Sequence, residues 1–221
     1  MRSLPIDRRG YPVPFFVAMI DGEPDHRVVE PRAMQTCLRD NRCWLCGGTL
    51  GRYKAFVIGP MCSITRTISE PPSHLECAEY AAIACPFMTR PAAKRREANL
   101  PDCIVPPAGH GLLRNPGAVC VWVTETFKPF RAGAGILFNI GEPSSTRWYA
   151  EGRAATRDEV DESIQSGLHH LAEPAKAEGP AAMKELERRI NATTRMLNAI
   201  RWPEDEGARV QRIDPREAKH A

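Results

Sequence analysis

The stretch Cys43-Trp44-Leu45-Cys46-Gly47-Gly48, answered by Pro71-Pro72-Ser73-His74-Leu75-Glu76-Cys77, carries two pairs of metal-binding side chains, each with two residues between its members. A tight turn can aim the Cys43 and Cys46 sulfurs at one ion, and the first turn of a helix can aim His74 and Cys77 at the same ion. Three thiolates and one imidazole fill the four positions of a tetrahedral zinc shell and leave none for water. The expected cofactor is therefore one structural Zn2+ that contributes to folding rather than to a reaction. Iron fits the same donors and spacing. Two other arrangements are open: Cys62 in place of His74, or a redox pair at Cys43 and Cys46. The redox pair needs a thioredoxin-like strand and helix, which the Gly47-Gly48 turn does not supply.

Working outward, Phe15 to Ile20 reads as a strand, and Asp21-Gly22 turns it into a second extended stretch around Arg27-Val28-Val29. Pro31 opens a helix expected to run to about Asp40 and to lead into the Cys43–Cys46 turn. Thr49 to Met61 reads as a second hairpin, with Gly51 near its tip and Tyr53, Phe56, Val57 and Ile58 on the return strand. Ser73 is expected to cap a helix over residues 74–84, with Glu76 completing a capping box, and Pro86 to end it.

The order knuckle, hairpin, helix, with two ligands on the knuckle and two at the helix start, resembles the treble-clef zinc fingers over roughly residues 42–87. That resemblance implies a zinc site and a fold, while function in the group varies widely. Its nuclease branch, the HNH enzymes, also carries a catalytic histidine on the hairpin; the stretch from Thr49 to Ser73 contains no histidine, which argues against that chemistry. Across most of its length the chain also resembles an uncharacterised group of bacterial and prophage-encoded proteins. The phrases that carry this are Cys43 to Gly47, Val57 to Met61, Pro71 to Tyr80, Ala84 to Phe87 and Trp148 to Thr156. This second resemblance implies no established activity.

The 221 residues are 43% hydrophobic and 26% charged, with a formal net charge of +3, an ordinary globular composition rather than a disordered or membrane one. The apolar run Val13 to Ile20 is interrupted by Pro14 and ends at Asp21, too short to span a bilayer and without a signal-peptide cleavage pattern, so the expected location is the cytoplasm, with no membrane partner. Eight cysteines then favour thiols or metal ligation over disulfides. Cys37, Cys62, Cys85, Cys103 and Cys120 show no paired spacing and read as small buried apolar side chains.

The expected fold class is α+β, organised as a zinc domain over 1–88, a basic Pro/Ala-rich linker or loop over 89–107, a small sheet plus helical hairpin over 108–202, and a polar tail over 203–221. Val119 to Thr124 and Gly135 to Ile140 are strand candidates separated by a turn region at Phe127 to Phe130 and Gly133. Thr156 and Glu159 form a capping box that opens a helix to about Leu171. After a break at Pro174 to Pro180, a last helix over 181–201 carries Met183, Leu186, Ile190, Thr193, Leu197 and Ile200 along one seam. The two helices are expected to pack as an antiparallel hairpin.

Between Arg27 and Arg66, seven basic residues (Arg27, Arg32, Arg39, Arg42, Arg52, Lys54, Arg66) face Glu30 and Asp40 alone. With Arg90, Lys94, Arg95 and Arg96 they form a candidate phosphate-contacting surface, on which Trp44 or Tyr53 can stack an exposed base; the plainer reading is a solvated basic face. The expected role is a zinc-stabilised binding or adaptor protein with nucleic acid as leading partner. Two rivals stand beside it: a metal-dependent, HNH-like nuclease or hydrolase drawing on His110 and Glu125, and a protein-interaction module that pairs with a protein partner or a second copy through its last helix. Trp148, Tyr149, Arg153 and Arg157 read as a packing corner in which the arginines pair Glu151 or Asp158.

Overall fold

The computed structural model describes residues 4–94, 108 and 114–206 of the chain. Strand β5 (Val119–Thr124), read in the sequence at these bounds, is buried at every residue because both of its faces are covered. It lies inside an antiparallel sheet of order β3-β5-β8-β9, where β3 is Lys54–Ile58, β8 is Ser145–Ala150 and β9 is Arg153–Ala154. Alternation sends Val119, Val121 and Val123, with Ala55 of β3, to one face. There they meet Ala78 and Ala82 of helix α3 (Leu75–Ala84). Small alanines let the helix lie close on the sheet.

The opposite face sends Phe56, Ile58, Cys120, Trp122 and Trp148 into the main core. Covering that face are helix α2 (Pro60–Thr65) and a second antiparallel sheet of order β4-β7-β6, made of Thr67–Ile68, Gly135–Ile140 and Phe127–Ala132. Helices α5 (Arg157–Gly167) and α7 (Pro180–Asn198) complete it with Val160, Ile164, Leu186 and Leu197. Leu197 is 1% exposed, so it faces the protein's own core and presents no surface to a partner. The protein is α+β, with small sheets and helices.

Several local expectations are met. Strands β1 (Val17–Ile20) and β2 (Glu23–Val29) form the opening hairpin, and helix α1 spans Ala33–Asp40. The Thr156–Glu159 capping box forms in full, and Pro86 follows the end of α3, starting the single turn α4 (Pro86–Thr89).

Others are corrected. No hairpin spans Thr49 to Met61; β3 takes β5 as its partner and the chain then enters α2. A six-residue buried strand offers β3 far more apolar contact than the polar Thr49 to Arg52 arm could. Ser73 does not cap α3, because its backbone N–H and C=O are both bonded to Ala55, at 2.7 and 2.8 Å; the cap position falls to His74. Phe127 to Phe130 is not a turn but part of β6, an edge strand, where Pro129 is tolerated because the missing N–H is not needed on the open side. α5 ends at Gly167 and a further helix, α6 (His169–Glu178), runs through Pro174. The break falls at Gly179, whose φ of 112° suits glycine alone. α6 then packs back against α7 as the helical hairpin.

Lys94 and Arg114 pair as an isolated β-bridge, and the Asn115 amide donates to the Phe87 and Arg90 carbonyls at 2.6 and 3.0 Å. Lys94 and Arg114 therefore stand side by side.

Candidate metal centre

Asn41 sets up the knuckle. It ends α1 in the left-handed region at φ 50°, a conformation asparagine accepts more readily than most residues. Its backbone carbonyl then accepts from the Leu50 N–H at 2.8 Å, and its side-chain amide donates to the Leu50 carbonyl at 2.9 Å, closing the ten-residue excursion at its base. Inside that loop the Cys43 N–H reaches the Gly48 carbonyl at 2.7 Å and the Gly47 N–H reaches the Cys43 carbonyl at 2.9 Å. Gly47 holds φ 71°, and a methyl group there would lie 2.8 Å from the Phe15 ring. Gly48 is as constrained on its other side, since a methyl group would come within 3.2 Å of His74 Cε1 and 3.4 Å of Cys46 Sγ.

The second ligand pair is carried by α3, docked on the sheet by Ala78 and Ala82 and tied through Ser73 to β3. The Trp44 N–H donates to the Pro72 carbonyl at 3.0 Å, which draws the knuckle to the start of the helix. As a result the ligand atoms of Cys43, Cys46, His74 and Cys77 all lie within 4.8 Å of one another. These four residues can hold a metal ion. Cys46 Sγ stands 3.3 Å and Cys77 Sγ 3.9 Å from His74 Nδ1, close to the roughly 3.5–3.8 Å edges that Zn–S and Zn–N bonds impose on a tetrahedron.

The histidine's protonation follows from its neighbour. His74 Nε2 lies 3.0 Å from the Thr49 carbonyl oxygen, which can only accept, so Nε2 carries the proton and Nδ1 turns its lone pair toward the three sulfurs. A backbone carbonyl orienting a ligating imidazole is the usual outer partner of such sites. Cys43 is fully buried and receives the backbone N–H groups of Cys46 and His74, each at 3.4 Å. The Cys77 thiol is the largest influence holding the Cys43 thiol well below its usual range; burial opposes this, and those backbone donors assist it. The same contact with Cys43, then burial, pushes the Cys77 thiol up.

Cys62 is not in the cluster; it sits in α2, where burial pushes its thiol up to about 11. Cys37 and Cys120 are buried as expected, Cys62 and Cys85 only partly, and Cys103 lies outside the described residues. Asn41, Gly48 and Thr49 were not singled out in the sequence. Asn41 had a readable signal, an asparagine directly after a helix, whereas Thr49 acts through its carbonyl and leaves no trace in residue type.

The candidate phosphate-contacting residues are spread and mostly engaged. Arg39 pairs with Asp40 at 2.7 Å, and Arg42 donates to the Gly47 carbonyl at 3.2 Å, inside the knuckle. Arg52 pairs with Glu125 at 2.8 Å and lies 5.7 Å from the centre of the exposed Tyr53 ring; Lys54 reaches the Arg52 carbonyl at 3.0 Å. Arg66 pairs with Glu142 at 3.3 Å and lies 4.4 Å from the centre of the buried Trp122 ring. Arg90 and Lys94 flank the Asn115 clamp, while Arg95, Arg96 and His110 lie outside the described residues. Trp44 cannot stack on a base: it is 3% exposed and lies flat on Phe16, ring centres 4.8 Å apart. Around Trp148 the packing corner forms, with Trp148 buried; Arg153 pairs Glu159, with the Glu151 charge also acting on it, and Arg157 pairs Asp161 at 2.8 Å.

Among the described residues no helix is long and apolar enough to cross a membrane. Comparison of the chain with protein-family models, curated proteins and solved structures finds no match in any of the three.

Proposed function

We propose that the protein is a zinc-stabilised binding protein whose partner is nucleic acid, with the ion serving the fold. The observation that carries the metal part is the four-donor cluster itself. Cys43, Cys46, His74 and Cys77 converge within 4.8 Å, and a fourth protein donor takes the position that a catalytic zinc keeps for water. The arrangement is treble-clef-like in one respect: a knuckle and the start of a helix give two ligands each. It departs from that pattern between them, where β3 is spent on the larger sheet. A place among prophage-encoded proteins is consistent with this reading and carries none of its weight. The nucleic-acid part rests on charge, since five more basic than acidic residues lie between Arg27 and Arg66.

Elemental mass spectrometry of the purified protein tests the metal: about one zinc per chain is expected, lost in Cys77→Ala together with the ordering of the knuckle. No metal in the wild-type protein overturns the centre, and iron at the same stoichiometry replaces zinc in it. Anisotropy titrations with labelled single- and double-stranded DNA and RNA across a salt series test the partner. Binding that weakens steeply with salt is expected, and none at low salt removes nucleic acid from the reading.

A further inference from the structure

Strands β6 and β7 leave the core as a ribbon. Its root is held by Phe127, edge-on to Phe56 at 5.7 Å and tilted against Phe138 at 5.9 Å. Beyond that root Lys128, Pro129, Phe130 and Arg131 are all exposed, and among the described residues β6 has no strand beside it on its outer edge. Register and alternation assign the faces. Phe127, Pro129 and Arg131 pair with Ile140, Phe138 and Ile136 on the side that meets the core, while Lys128 and Phe130 pair with Asn139 and Leu137 on the side turned away. At the far end of that outward face Ala108 packs on Gly135, and Phe130 is still 41% exposed.

Charge separates this ribbon from the basic residues nearer the metal. Arg39, Arg52 and Arg66 each have a carboxylate partner. Lys128 and Arg131 have no ion pair among the described residues, and no acidic residue lies between Phe127 and Ile140. The nearest acidic residues in the chain, Glu125 and Glu142, sit at the root and are engaged by Arg52 and Arg66. An exposed ring with Lys128 beside it on its own face and Arg131, also exposed, on the other face of the same edge strand fits the chemistry of a single-stranded nucleic acid that crosses that edge: the ring takes a base face, and the two cations take phosphates on the two sides of the strand.

We propose that the β6–β7 ribbon is the nucleic-acid contact surface, with Phe130 stacking an unpaired base and Lys128 and Arg131 holding adjacent phosphates. The proposal rests on the nucleic-acid reading above and assigns the phosphate contacts to the ribbon rather than to the paired arginines around the metal centre. The partner is a strand with unstacked bases, DNA or RNA, since nothing on the ribbon distinguishes the sugar.

Anisotropy titrations with labelled oligothymidylate and oligouridylate test it, using wild-type protein, Phe130→Ala, Lys128→Gln/Arg131→Gln, and, as a control of equal charge loss on the exposed side of α7, Arg188→Gln/Arg195→Gln. All four are checked for zinc content and unfolding midpoint, so a folding or metal defect is visible separately. The expected result is an affinity loss of roughly tenfold in Phe130→Ala, as for loss of one stacked base. The ribbon double variant is expected to lower the salt slope by about 1.4, two single-strand phosphate contacts. The control is expected to bind like wild type. Wild-type binding unchanged by both ribbon variants overturns the ribbon and leaves the nucleic-acid reading standing; no binding by any of the four overturns both. Tighter capture of a polyglutamate peptide than of either oligonucleotide overturns the assignment in favour of an acidic protein partner.

Discussion

Single side chains tie distant segments of the chain together, and two of them give sharp expectations. Ser163 Oγ accepts from the Ala118 N–H at 2.8 Å and donates to the Glu159 carbonyl at 2.7 Å, so one buried hydroxyl joins α5 to the start of β5. Ser163→Ala leaves the Ala118 N–H unpaired in a dry site and is expected to cost about 1–3 kcal/mol in urea unfolding. An unchanged midpoint would mean that water replaces the hydroxyl. Asp7 gives a pH dependence. Burial raises its pKa, but donation from the Tyr11 and Arg9 N–H groups and from the Arg9 side chain outweighs burial and holds it at about 2, against an ordinary 3.8. A depressed carboxylate stabilises the fold above its unfolded value, and that contribution is lost as pH falls through the folded value. Amide protection factors across residues 7–13, corrected for the intrinsic pH dependence of exchange, are therefore expected to fall between about pH 4 and pH 2 in wild type, and Asp7→Asn is expected to flatten the change over the same window. The four clustered donors Cys43, Cys46, His74 and Cys77 were legible because residue type and spacing carry the chemistry. Asp7 was not, since its role depends on a loop that folds back on itself through the Val13 N–H and the Pro5 carbonyl.

Elements were legible wherever local signals were strong and no distant partner competed. The Thr156–Glu159 box is one such case, and its two hydrogen bonds are joined by the Arg153–Glu159 ion pair, which ties the box to β9. Thr156→Ala is expected to destabilise the protein by about 1 kcal/mol, measured by denaturant midpoint. Glu159→Gln should cost more than the cap alone, because it also leaves Arg153, one of the less exposed arginines, without its carboxylate. Equal losses in the two variants would place no weight on the ion pair. The elements misread were those decided at long range. Tyr53 to Ile58 has the composition of a hairpin's return strand, yet its partner, β5, lies more than sixty residues away, and no local pattern encodes that choice. β6 read as a turn because Pro129 breaks its pattern, and only its edge position makes the proline harmless. Within the expected break at 174–180, α6 runs through Pro174, and it is Gly179 that supplies the backbone angle a break needs.

At the scale of the whole molecule, the metal centre is a joint between the N-terminal hairpin and the main sheet. The hairpin reaches the rest of the chain through Phe15 and Phe16: the Phe15 N–H donates to the Leu45 carbonyl at 2.8 Å, Phe16 stacks on Trp44, and the Phe15 ring packs against Gly47. Each of these contacts is made with the knuckle, which is itself anchored at one end by Asn41 and Leu50 and at the other by the ligands of α3. The large sheet has a different support. Trp122, Phe56 and Phe138 are fully buried, with α5 and α7 in the same core, and none of them touches the cluster of Cys43, Leu45, Leu50 and Cys77. In the proposed zinc form the ion ties the knuckle to the start of α3, so its removal loosens the knuckle and with it the hairpin, while the sheet keeps its own core. Hydrogen exchange with and without a chelator is expected to show faster exchange over residues 15–30 and 42–50 and little change over β5 and β8. Uniform acceleration across the chain would mean that the metal centre and the main core unfold as one unit. No change at all would mean that the hydrophobic contacts of Phe16, Leu45 and Leu50 hold the knuckle without an ion.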